Sequence, residues 1–420
     1  MKKEKLLIVS FKIPYPLNEG GAIAQFVFLE HLATIYEISF CTIINTQFQK
    51  TSIEGLKNAI PNLKVYSFEH ISNVAFKSRL VTNFVAFGIA LIKNTRFFIG
   101  KCMNKVQFNS KPINIETSFG YLEEEFVLFL KTIIKENDFE FIQLEFFETI
   151  SLLPILPKEI KKIVVHHEIR SKRNSLILMP NIEFKKYIVE TTKIIETAFL
   201  NFADSVIVFN EKDKEYLSEL KTKVFVSPFG IPQQMIVKNE VSTFFNKFLF
   251  LGSENHYPNK EGLQWFLDQI YIPNSKIINW PIYITGTWSE NFQKKYEKYE
   301  SILFIGFIPE LKECYDHSIM LTPILSGSGI RTKILQSFAN KIPVIASKFA
   351  SEGLFENSDT SNHLIHFESE MDFLREFEKI RNDMSYLTSI AENGFQYFSN
   401  FFNMDDLLQK RVNVYNDLNY

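Results

Sequence analysis

SGSGIRTKILQSFANKIPVIAS, residues Ser326–Ser347, predicts a turn, a helix and a buried strand in succession. A Gly-Ser-Gly turn comes first, and the stretch after it has the apolar spacing of a short amphipathic helix. The apolar run that follows Pro343 is typical of a buried parallel strand. Because another apolar run, SIMLTPI, precedes the turn, the whole stretch predicts a β-α-β unit of a parallel sheet.

The same alternation of short apolar runs and longer amphipathic runs continues outward in both directions. The strand candidates in the first half are KLLIVS, EISFCTI, LKVYSF, FEFIQLEF, KIVVHH, DSVIVF and KVFVS, and those in the second half are KFLFLG, IYIT, ILFIG, SIMLTPI and IPVIAS. This order predicts an α/β protein with two Rossmann-like parallel-sheet domains that face each other across a cleft.

The length of the chain supports a division into two domains, because 420 residues exceed the roughly 250–300 that one core usually holds. The alternation stops in SPFGIPQQMIVKNEVST, where we place the linker. We predict a first domain at 1–228, a linker at 229–245 and a second domain at 246–402. A C-terminal helix at 403–420 is expected to pack back toward the first domain.

The composition bears on which partners the protein binds and in which compartment it lies. A formal charge of −2 argues against bulk electrostatic binding of nucleic acid. Three cysteines without a CxxC pair suit a reducing cytoplasm and predict neither disulfides nor a zinc site. The basic start MKKEKLLIVSFKIPYP lacks a small-residue cleavage site and is expected to hold a strand. The longest membrane-like run, LVTNFVAFGIALI, is shorter than the roughly 20 residues of a spanning helix.

Two cations, Arg331 and Lys333, occupy the first turn of the helix predicted after the Gly-Ser-Gly turn. A helix N-terminus carries a partial positive charge, so cations there are unfavourable unless an anion lies between them. With the backbone N–H groups of Ser328 and Gly329, they would form a site for a diphosphate. The alternative is that both cations are ordinary surface residues or pair with acidic side chains.

The second half resembles the C-terminal domain of a GT-B glycosyltransferase of the retaining family 4, in the subgroup with a GSG motif. The stretches that carry the resemblance are FLFLGSENHYPNKEGLQWFL, LFIGFIPELKECY and LTPILSGSGIRTKILQSFANKIPVIASKFASEGL. Weaker matches in the first half are IPYPLNEGGAIAQ, VVHHEIRSKRN and ADSVIVFNEKDKEYL. The resemblance implies transfer of a sugar from a nucleotide diphosphate sugar, UDP- or GDP-linked, without another cofactor. It also implies that the domain at 1–228 binds the acceptor and the domain at 246–402 binds the nucleotide sugar.

The resemblance also implies roles for individual residues. Gly20 and Gly21, in the loop after the first strand, would let the backbone approach the donor phosphates, although a plain tight turn is the alternative. From the other domain, the diphosphate would be held by Ser328, Gly329, Arg331 and Lys333. Asn259 and Lys260 are expected near a further phosphate contact.

His166 and His167 end a predicted buried strand, where a lone histidine is more often structural. The resemblance implies that one of them, which the sequence does not choose, contacts the transferring sugar or positions the acceptor. No nucleophile–base set is visible, as expected if the leaving diphosphate helps to deprotonate the acceptor. No metal-ligand spacing occurs either.

The chain departs from the family pattern at the E-x7-E motif, where it has Ser328 and Gln336. Gln336 can form hydrogen bonds to a ribose but not charge-assisted ones. Two alternatives to a glycosyltransferase therefore stay open. One is a nucleotide-sugar epimerase on the same scaffold, and the other is a binding or scaffold subunit whose catalysis has decayed.

A basic segment between His70 and Ile115 contains no Asp or Glu but seven Lys or Arg residues, interleaved with apolar runs. Such a segment is typical of contact with an anionic membrane surface or an acidic acceptor. We predict docking of a glycan or lipid-linked acceptor there, at Arg79, Lys93, Arg96 and Lys101, and a peripheral position at the inner face of the membrane. The alternative is a helical hairpin with solvated lysines.

Overall fold

The computed structural model describes residues 3–69, 122–176, 181–237, 240–308, 311–327, 329–355 and 362–418. The basic segment, with Arg79, Lys93, Arg96 and Lys101, lies outside these ranges, and so does Ser328.

The first sheet has seven strands in the order β3-β2-β1-β4-β5-β6-β7, and all neighbouring strands are parallel. Its strands are β1 (Lys5–Val9), β2 (Glu37–Ile44), β3 (Lys64–Glu69), β4 (Phe141–Glu145), β5 (Lys161–Val165), β6 (Ser205–Val208) and β7 (Lys223–Val226). Each of the seven overlaps a strand predicted from an apolar run, although β2 and β3 end one residue later and β5 begins one residue earlier than predicted.

The second sheet has six strands in the order β10-β9-β8-β11-β12-β13, again parallel throughout. Its strands are β8 (Lys247–Phe250), β9 (Ile282–Thr285), β10 (Ile302–Gly306), β11 (Ser318–Thr322), β12 (Val344–Ser347) and β13 (Ile365–Phe367). Strand β13 was not predicted, because three residues are too few to show a strand pattern. The predicted class, two parallel α/β sheets, is confirmed.

Helices cover both sheets. In chain order they are α1 (Gly20–Ile35), α2 (Gln47–Ala59), α3 (Glu124–Glu136), α4 (Arg170–Leu176), α5 (Ile182–Leu200), α6 (Glu211–Tyr216), α7 (Tyr257–Phe266), α8 (Glu290–Lys294), α9 (Lys312–Tyr315), α10 (Thr332–Ala339), α11 (Glu370–Asn382), α12 (Met384–Phe401) and α13 (Met404–Asp417). Within the described ranges, no helix is both long enough and apolar enough to cross a bilayer.

Helix α1 lies between the two halves of the molecule. Its sequence is apolar on nearly every side, as expected for a helix covered all round, and it contacts both α10 and α13. A Cβ on Gly20 would lie 2.6 Å from the Thr332 hydroxyl oxygen of α10. The absence of a side chain at Gly20 therefore allows the two halves to approach closely at this point.

The connection between the sheets is part of the core. Phe229 and Ile231 are each 2 % exposed and belong to one apolar cluster that continues into both sheets. Asn340, at the end of α10, accepts a hydrogen bond from the backbone of Val237 at 2.7 Å and donates one to Met235 at 3.0 Å. These contacts fix the connecting segment to the second sheet.

Helix α13 packs on the first sheet after the chain has completed the second. The Arg411 guanidinium lies 3.7 Å from the Phe28 ring centre in α1 and donates through Nε to the Ser227 hydroxyl at 2.9 Å. Nearer the end of the helix, Asp417 pairs with Lys223 at 3.0 Å. The last described helix thus covers α1 and the end of β7.

Candidate functional site

The loop before α10 places Arg331 just outside the helix. The sequence predicted a helix from Ile330, but the helix begins at Thr332 and Arg331 is its N-cap residue. Gly327 and Gly329 have φ values of +113° and +75°, which a residue with a side chain rarely adopts. The turns at Gly327 and Gly329 make the helix begin later than predicted and carry the chain past the N-terminus of the helix.

Lys333 lies half-buried in the first turn of α10. Its ammonium group donates to the Asn259 side-chain oxygen at 2.8 Å and sits 4.4 Å from the Phe250 ring centre. Burial, and secondarily the charge of Arg331, lowers the pKa of Lys333 to about 7. A neutral amide and an aromatic face stabilise a cation less than a carboxylate does, so Lys333 is suited to receive an anion.

Arg331 is held by its own loop and by an aromatic ring. Its Nη1 donates to the Gly329 carbonyl at 2.5 Å, and its guanidinium lies 5.1 Å from the Phe349 ring centre. Burial lowers the pKa of Arg331, while the carboxylates of Glu168, Asp213 and Glu352 oppose that shift. The side chain is therefore fixed next to Lys333 with the same sign of charge.

The carboxylates around this pair are engaged by other cations. The three ion pairs are Glu168 with Arg173 at 3.0 Å, Asp213 with Lys172 at 2.6 Å and Glu352 with Lys212 at 3.1 Å. Because each of these three pairs is neutral, Arg331 and Lys333 add two positive charges beside them, which suits an anion.

Both halves of the molecule contribute to this site. A small cavity of about 10 Å³ lies between them, lined by Lys172, Asn210, Lys212, Asp213, Gly329, Arg331, Glu352 and Gly353. A Cβ on Gly329 would come 3.0 Å from the His167 carbonyl oxygen, at the carboxyl end of β5. The predicted diphosphate residues of the second half therefore face the predicted histidine of the first half.

His167 is fixed at this edge by aromatic neighbours and a carboxylate. Its ring stacks on Phe146 with centroids 3.8 Å apart, meets Phe209 edge-on at 5.0 Å, and bonds through Nε2 to Glu145 at 2.5 Å. Burial lowers the pKa of His167, although the Glu145 carboxylate opposes this. The imidazole is therefore neutral at pH 7.

His166 points into the interior instead. Its Nε2 lies 3.2 Å from Glu196 of α5, and the same carboxylate accepts backbone N–H bonds from Arg170 at 2.6 Å and Ser171 at 2.9 Å. The His166 side chain is 0 % exposed. These contacts tie α4 and α5 to the end of β5.

Gly20 and Gly21 are the first residues of α1, not part of the preceding loop as the sequence suggested. The loop after β1 takes up residues 10–19, so the helix begins at the glycines. A Cβ on Gly21 would lie 3.0 Å from the Phe146 ring, which stacks on His167. The glycines therefore lie beside the histidine and place a helix N-terminus at the same cleft.

The remaining predicted donor residues divide into two groups. Asn259, in α7, contacts Lys333, and Gln336 lies one turn further along α10 with 5 % of its surface exposed. The Lys260 ammonium, in contrast, pairs with Glu254 at 2.6 Å and lies 6.0 Å from the Phe292 ring centre. The structure thus brings Asn259 and Gln336 to the site and turns the charge of Lys260 toward Glu254.

Sequence reasoning missed His256, the N-cap residue of α7. His256 is exposed, and its pKa is lowered by the protein around the ring and then by Lys333, Arg173 and Arg331, while Glu168 opposes the shift. His256 therefore adds a neutral polar group to the site at pH 7. The sequence signal for His256 was its position after β8, within the stretch FLFLGSENHYPNKEGLQWFL that resembles the glycosyltransferase family.

Among the described residues, no group of three or more His, Cys, Asp or Glu side chains could hold a metal ion.

Two parallel sheets whose strand ends meet at a positively charged helix N-terminus form the arrangement of a GT-B glycosyltransferase. Residues 246–383 match the family described as Glycosyl transferases group 1. The match covers about a third of the chain, and the whole chain has the GT-B fold. The resemblance read from the sequence is confirmed at that level.

Solved structures support the fold over the full length. A sucrose-phosphate synthase from Thermosynechococcus elongatus has a TM-score of 0.67 at 13 % identity and covers 99 % of both chains. The Anabaena protein Alr3699/HepE, in complex with UDP and glucose, has a TM-score of 0.63 at 12 % identity over 99 % of this chain and 100 % of its own. A mutant of TarM from S. aureus, in complex with Fondaparinux, alpha-GlcNAc-glycerol and UDP, has a TM-score of 0.64 at 13 % identity. The match covers 98 % of this chain and 100 % of that one.

A curated relative extends the similarity to sequence. It is named an uncharacterized 44.6 kDa protein in the cps region of Klebsiella pneumoniae, and it is 22 % identical over 413 residues, 94 % of this chain and 95 % of its own length.

Proposed function

We propose that this protein transfers a sugar from a nucleotide diphosphate sugar to a glycan or lipid-linked glycan, with retention of configuration. The observation that carries the proposal is the pair Arg331 and Lys333 at the start of α10, beside three carboxylates that are each paired with another cation. A diphosphate supplies the negative charge that this arrangement favours.

The charge pattern also suits the chemistry of transfer. Cleavage of the sugar–phosphate bond places negative charge on the leaving diphosphate, and fixed cations stabilise that charge most when little water is present. Lys333, with a pKa near 7 in the free protein, gains most from an anion, because the phosphate restores the stability of its charged form. The leaving phosphate would then assist deprotonation of the acceptor on the same face.

UDP is the better supported of the two nucleotides. The HepE and TarM structures, which share the fold, were solved with UDP. A role in surface polysaccharide synthesis is supported by the relative in the cps region. Contact with an anionic membrane stays a prediction, because the basic segment that motivates it lies outside the described residues.

The cavity between the two halves has a volume of about 10 Å³, room for about one water molecule. A nucleotide sugar therefore enters only when the two halves separate, and the connection at Phe229–Ile231 is the point we expect to bend.

The deciding experiment is calorimetric titration of UDP and GDP into the wild type and Arg331→Ala. We expect the variant to bind its nucleotide about 100-fold more weakly, because a hydrogen-bonded charge contributes roughly 1.5–3 kcal/mol. Lys294→Ala is the matched control, because Lys294 is exposed on α8 and pairs only weakly with Glu290 at 3.7 Å. Unchanged affinity in Arg331→Ala, or a wild type that binds neither nucleotide, would rule the proposal out.

A further inference from the structure

The outward side of helix α5 carries a stripe of exposed apolar side chains. Phe184, Tyr187 and Ile194 are 46 %, 60 % and 69 % exposed, and Ala198 is exposed in the turn that follows. Their spacing of three and four residues places them, with the half-buried Thr191, on one side of the helix over about 21 Å. Single apolar residues on a surface are normal, but a continuous apolar stripe is typical of an interaction surface.

The inward side of α5 already packs on the first half of the molecule. Thr192, Glu196 and Leu200 are buried, and Ile195 and Phe199 pack against the apolar core of the first sheet. The helix thus has apolar residues on two sides, as expected for a helix that is covered on both. The apolar stripe is therefore more than the fold of a single chain requires.

Charged residues of alternating sign lie along one flank of the stripe, in the order Glu183, Lys186, Glu190 and Lys193. Their spacing would allow ion pairs within the helix. Instead, Lys193 pairs with Glu219 at 2.8 Å, and the other three have no ion-pair partner in the described part of the chain. The Lys193–Glu219 pair is open to solvent and contributes little. The charged flank is therefore available to another molecule.

The charge balance of α5 distinguishes between two kinds of partner. The helix contains three Lys and three Glu residues. A helix that lies on an anionic membrane is rich in Lys and Arg on its polar side. A neutral helix with charges of alternating sign instead favours a second helix with complementary charges.

The charged flank is complementary to itself when two copies of α5 run antiparallel. If the helices cross at the level of Ile188, Glu183 lies level with the partner's Lys193, and Lys186 lies level with the partner's Glu190. A two-fold axis repeats both pairs, so that all four pairs combine opposite charges. In a parallel arrangement about a two-fold axis, each charge would meet its own copy.

The apolar stripe fits the same register. Phe184 lies level with the gap between the partner's Thr191 and the partner's Ile194. Tyr187 lies level with the gap between the partner's Tyr187 and the partner's Thr191. Side chains that insert between residues of the facing helix give close helix packing. The charges and the apolar residues thus favour one register independently of each other.

We infer that two copies of this chain associate through α5 as an antiparallel pair about a two-fold axis, with Phe184, Tyr187 and Ile194 between the helices. One helix pair covers less than the roughly 800 Å² per partner of a standard interface, so the dissociation constant should be micromolar. The pairing of α5 is independent of the proposed function.

The test is sedimentation equilibrium of the full chain. We expect the wild type to change from monomer to dimer between about 1 and 100 µM, as a micromolar dissociation constant requires. Ile194→Glu puts a charge into the stripe and should raise that constant about tenfold or more. Met371→Glu is the matched control, because Met371 is 80 % exposed on α11, and this variant should dimerise like the wild type.

A charge exchange tests the antiparallel register. Lys186→Glu places a carboxylate level with the partner's Glu190 and should weaken the dimer about tenfold, because two ion pairs become two repulsions. Adding Glu190→Lys exchanges both signs, restores the two pairs and should recover the wild-type dissociation constant. A double variant that dimerises no better than Lys186→Glu would show that the proposed pairing is wrong.

A wild type that stays monomeric at about 100 µM would overturn the inference, and two further measurements would then name what covers the stripe. If Ile194→Glu unfolds at lower urea than the wild type, the chain itself covers the stripe. If the wild type binds vesicles of phosphatidylglycerol and phosphatidylcholine and Ile194→Glu does not, the stripe contacts a membrane.

Discussion

His166 and His167 are adjacent, and each hydrogen-bonds a buried glutamate, yet the two pairs differ in what lies beyond the glutamate. Successive side chains of an extended chain point to opposite sides, so His166 meets Glu196 of α5 and His167 meets Glu145 of β4. The Glu196 carboxylate receives its donors from His166 and the start of α4, and the set ends there. Glu145 continues through Gln143 into a helix from the far end of the sequence.

The difference separates a structural from a functional use of the same two residue types. A histidine–glutamate pair that is enclosed contributes to stability, whereas one whose imidazole reaches a cleft can act on a ligand. Burial and pairing alone do not distinguish them. What distinguishes them is position, because the His167 carbonyl lies beside Gly329 at the cleft, whereas the hydrogen bonds of the His166 pair stay within the first half.

The largest expected effect is on the enclosed pair. Glu196→Gln should lower the free energy of unfolding by about 3 kcal/mol, because one of its donors would then face an amide N–H. The measurement is urea denaturation at pH 7. Glu145→Gln is the comparison, and a loss in Glu196→Gln no greater than in Glu145→Gln would contradict the structural role of Glu196.

This loss should depend on pH in a defined direction. Burial alone would raise the pKa of Glu196, but hydrogen bonds from His166 and Ser171 outweigh it and lower the pKa below its ordinary 4.5. A carboxyl whose folded-state pKa is lowered contributes stability above its unfolded-state pKa and loses it as the pH falls. The difference between the wild type and Glu196→Gln should therefore shrink below pH 4.5.

The next largest effect concerns two lysines of the second half. Lys260 pairs with a carboxylate, whereas Lys333 donates to a side-chain amide oxygen. Because the pKa of Lys333 is about 7, the free protein loses this charge as the pH rises above neutrality. UDP affinity should fall about tenfold per pH unit above that value, until the complex also titrates. Lys333→Arg, whose guanidinium stays charged, should flatten the profile in calorimetric titrations. A flat profile in the wild type would exclude Lys333 from phosphate binding.

A smaller effect is expected when Tyr415, whose hydroxyl contacts the Gln143 side chain behind Glu145 and His167, loses that hydroxyl. Tyr415→Phe leaves the Gln143 carbonyl without a donor and should reduce stability by about 1–2 kcal/mol. Tyr271→Phe is a matched control, because the buried Tyr271 hydroxyl donates to the Trp280 carbonyl at 2.8 Å in the second half. Both variants should unfold earlier in urea, but only Tyr415→Phe should shift the NMR signals of His167. A shift in both would show that the signals report general loosening.

The smallest effect should follow from removing Lys260. Its ammonium pairs with Glu254 at 2.6 Å while its side chain remains 42 % exposed. Lys260→Ala should cost less than about 1 kcal/mol, as exposed ion pairs usually do, and should leave UDP affinity within about twofold. A large loss of UDP affinity would show that Lys260 leaves Glu254 to reach the donor.

Much of the fold was predictable because each buried strand is a short apolar run between amphipathic stretches. The exceptions have local causes. β13 has only three residues, and the start of α10 is shifted by the unusual backbone of Gly327 and Gly329, which an apolar pattern does not reveal. Gly20 and Gly21 begin a helix because ten residues, not a short turn, follow β1.

The site was predictable where its signal is local. Arg331 and Lys333 stand out because cations at a helix N-terminus need an explanation. The partners of the histidines could not be read in this way, since Glu145 lies 22 residues before His167 and Glu196 lies 30 residues after His166. Which glutamate serves which histidine depends on the strand order and on the side to which each residue points.

The separation along the chain between Gln143 and Tyr415, 272 residues, has a consequence for biosynthesis. Strands β1 to β7 leave the ribosome long before α13 is translated, so the first sheet can form while Gln143 and Glu145 still lack the helix that orients them. The Gln143 side chain, which bonds to the glutamate beside the cleft histidine, therefore gains its partner Tyr415 only after α13 has emerged and docked. A nascent chain stalled before Arg411 would hold every strand of both sheets and still have an unfinished site.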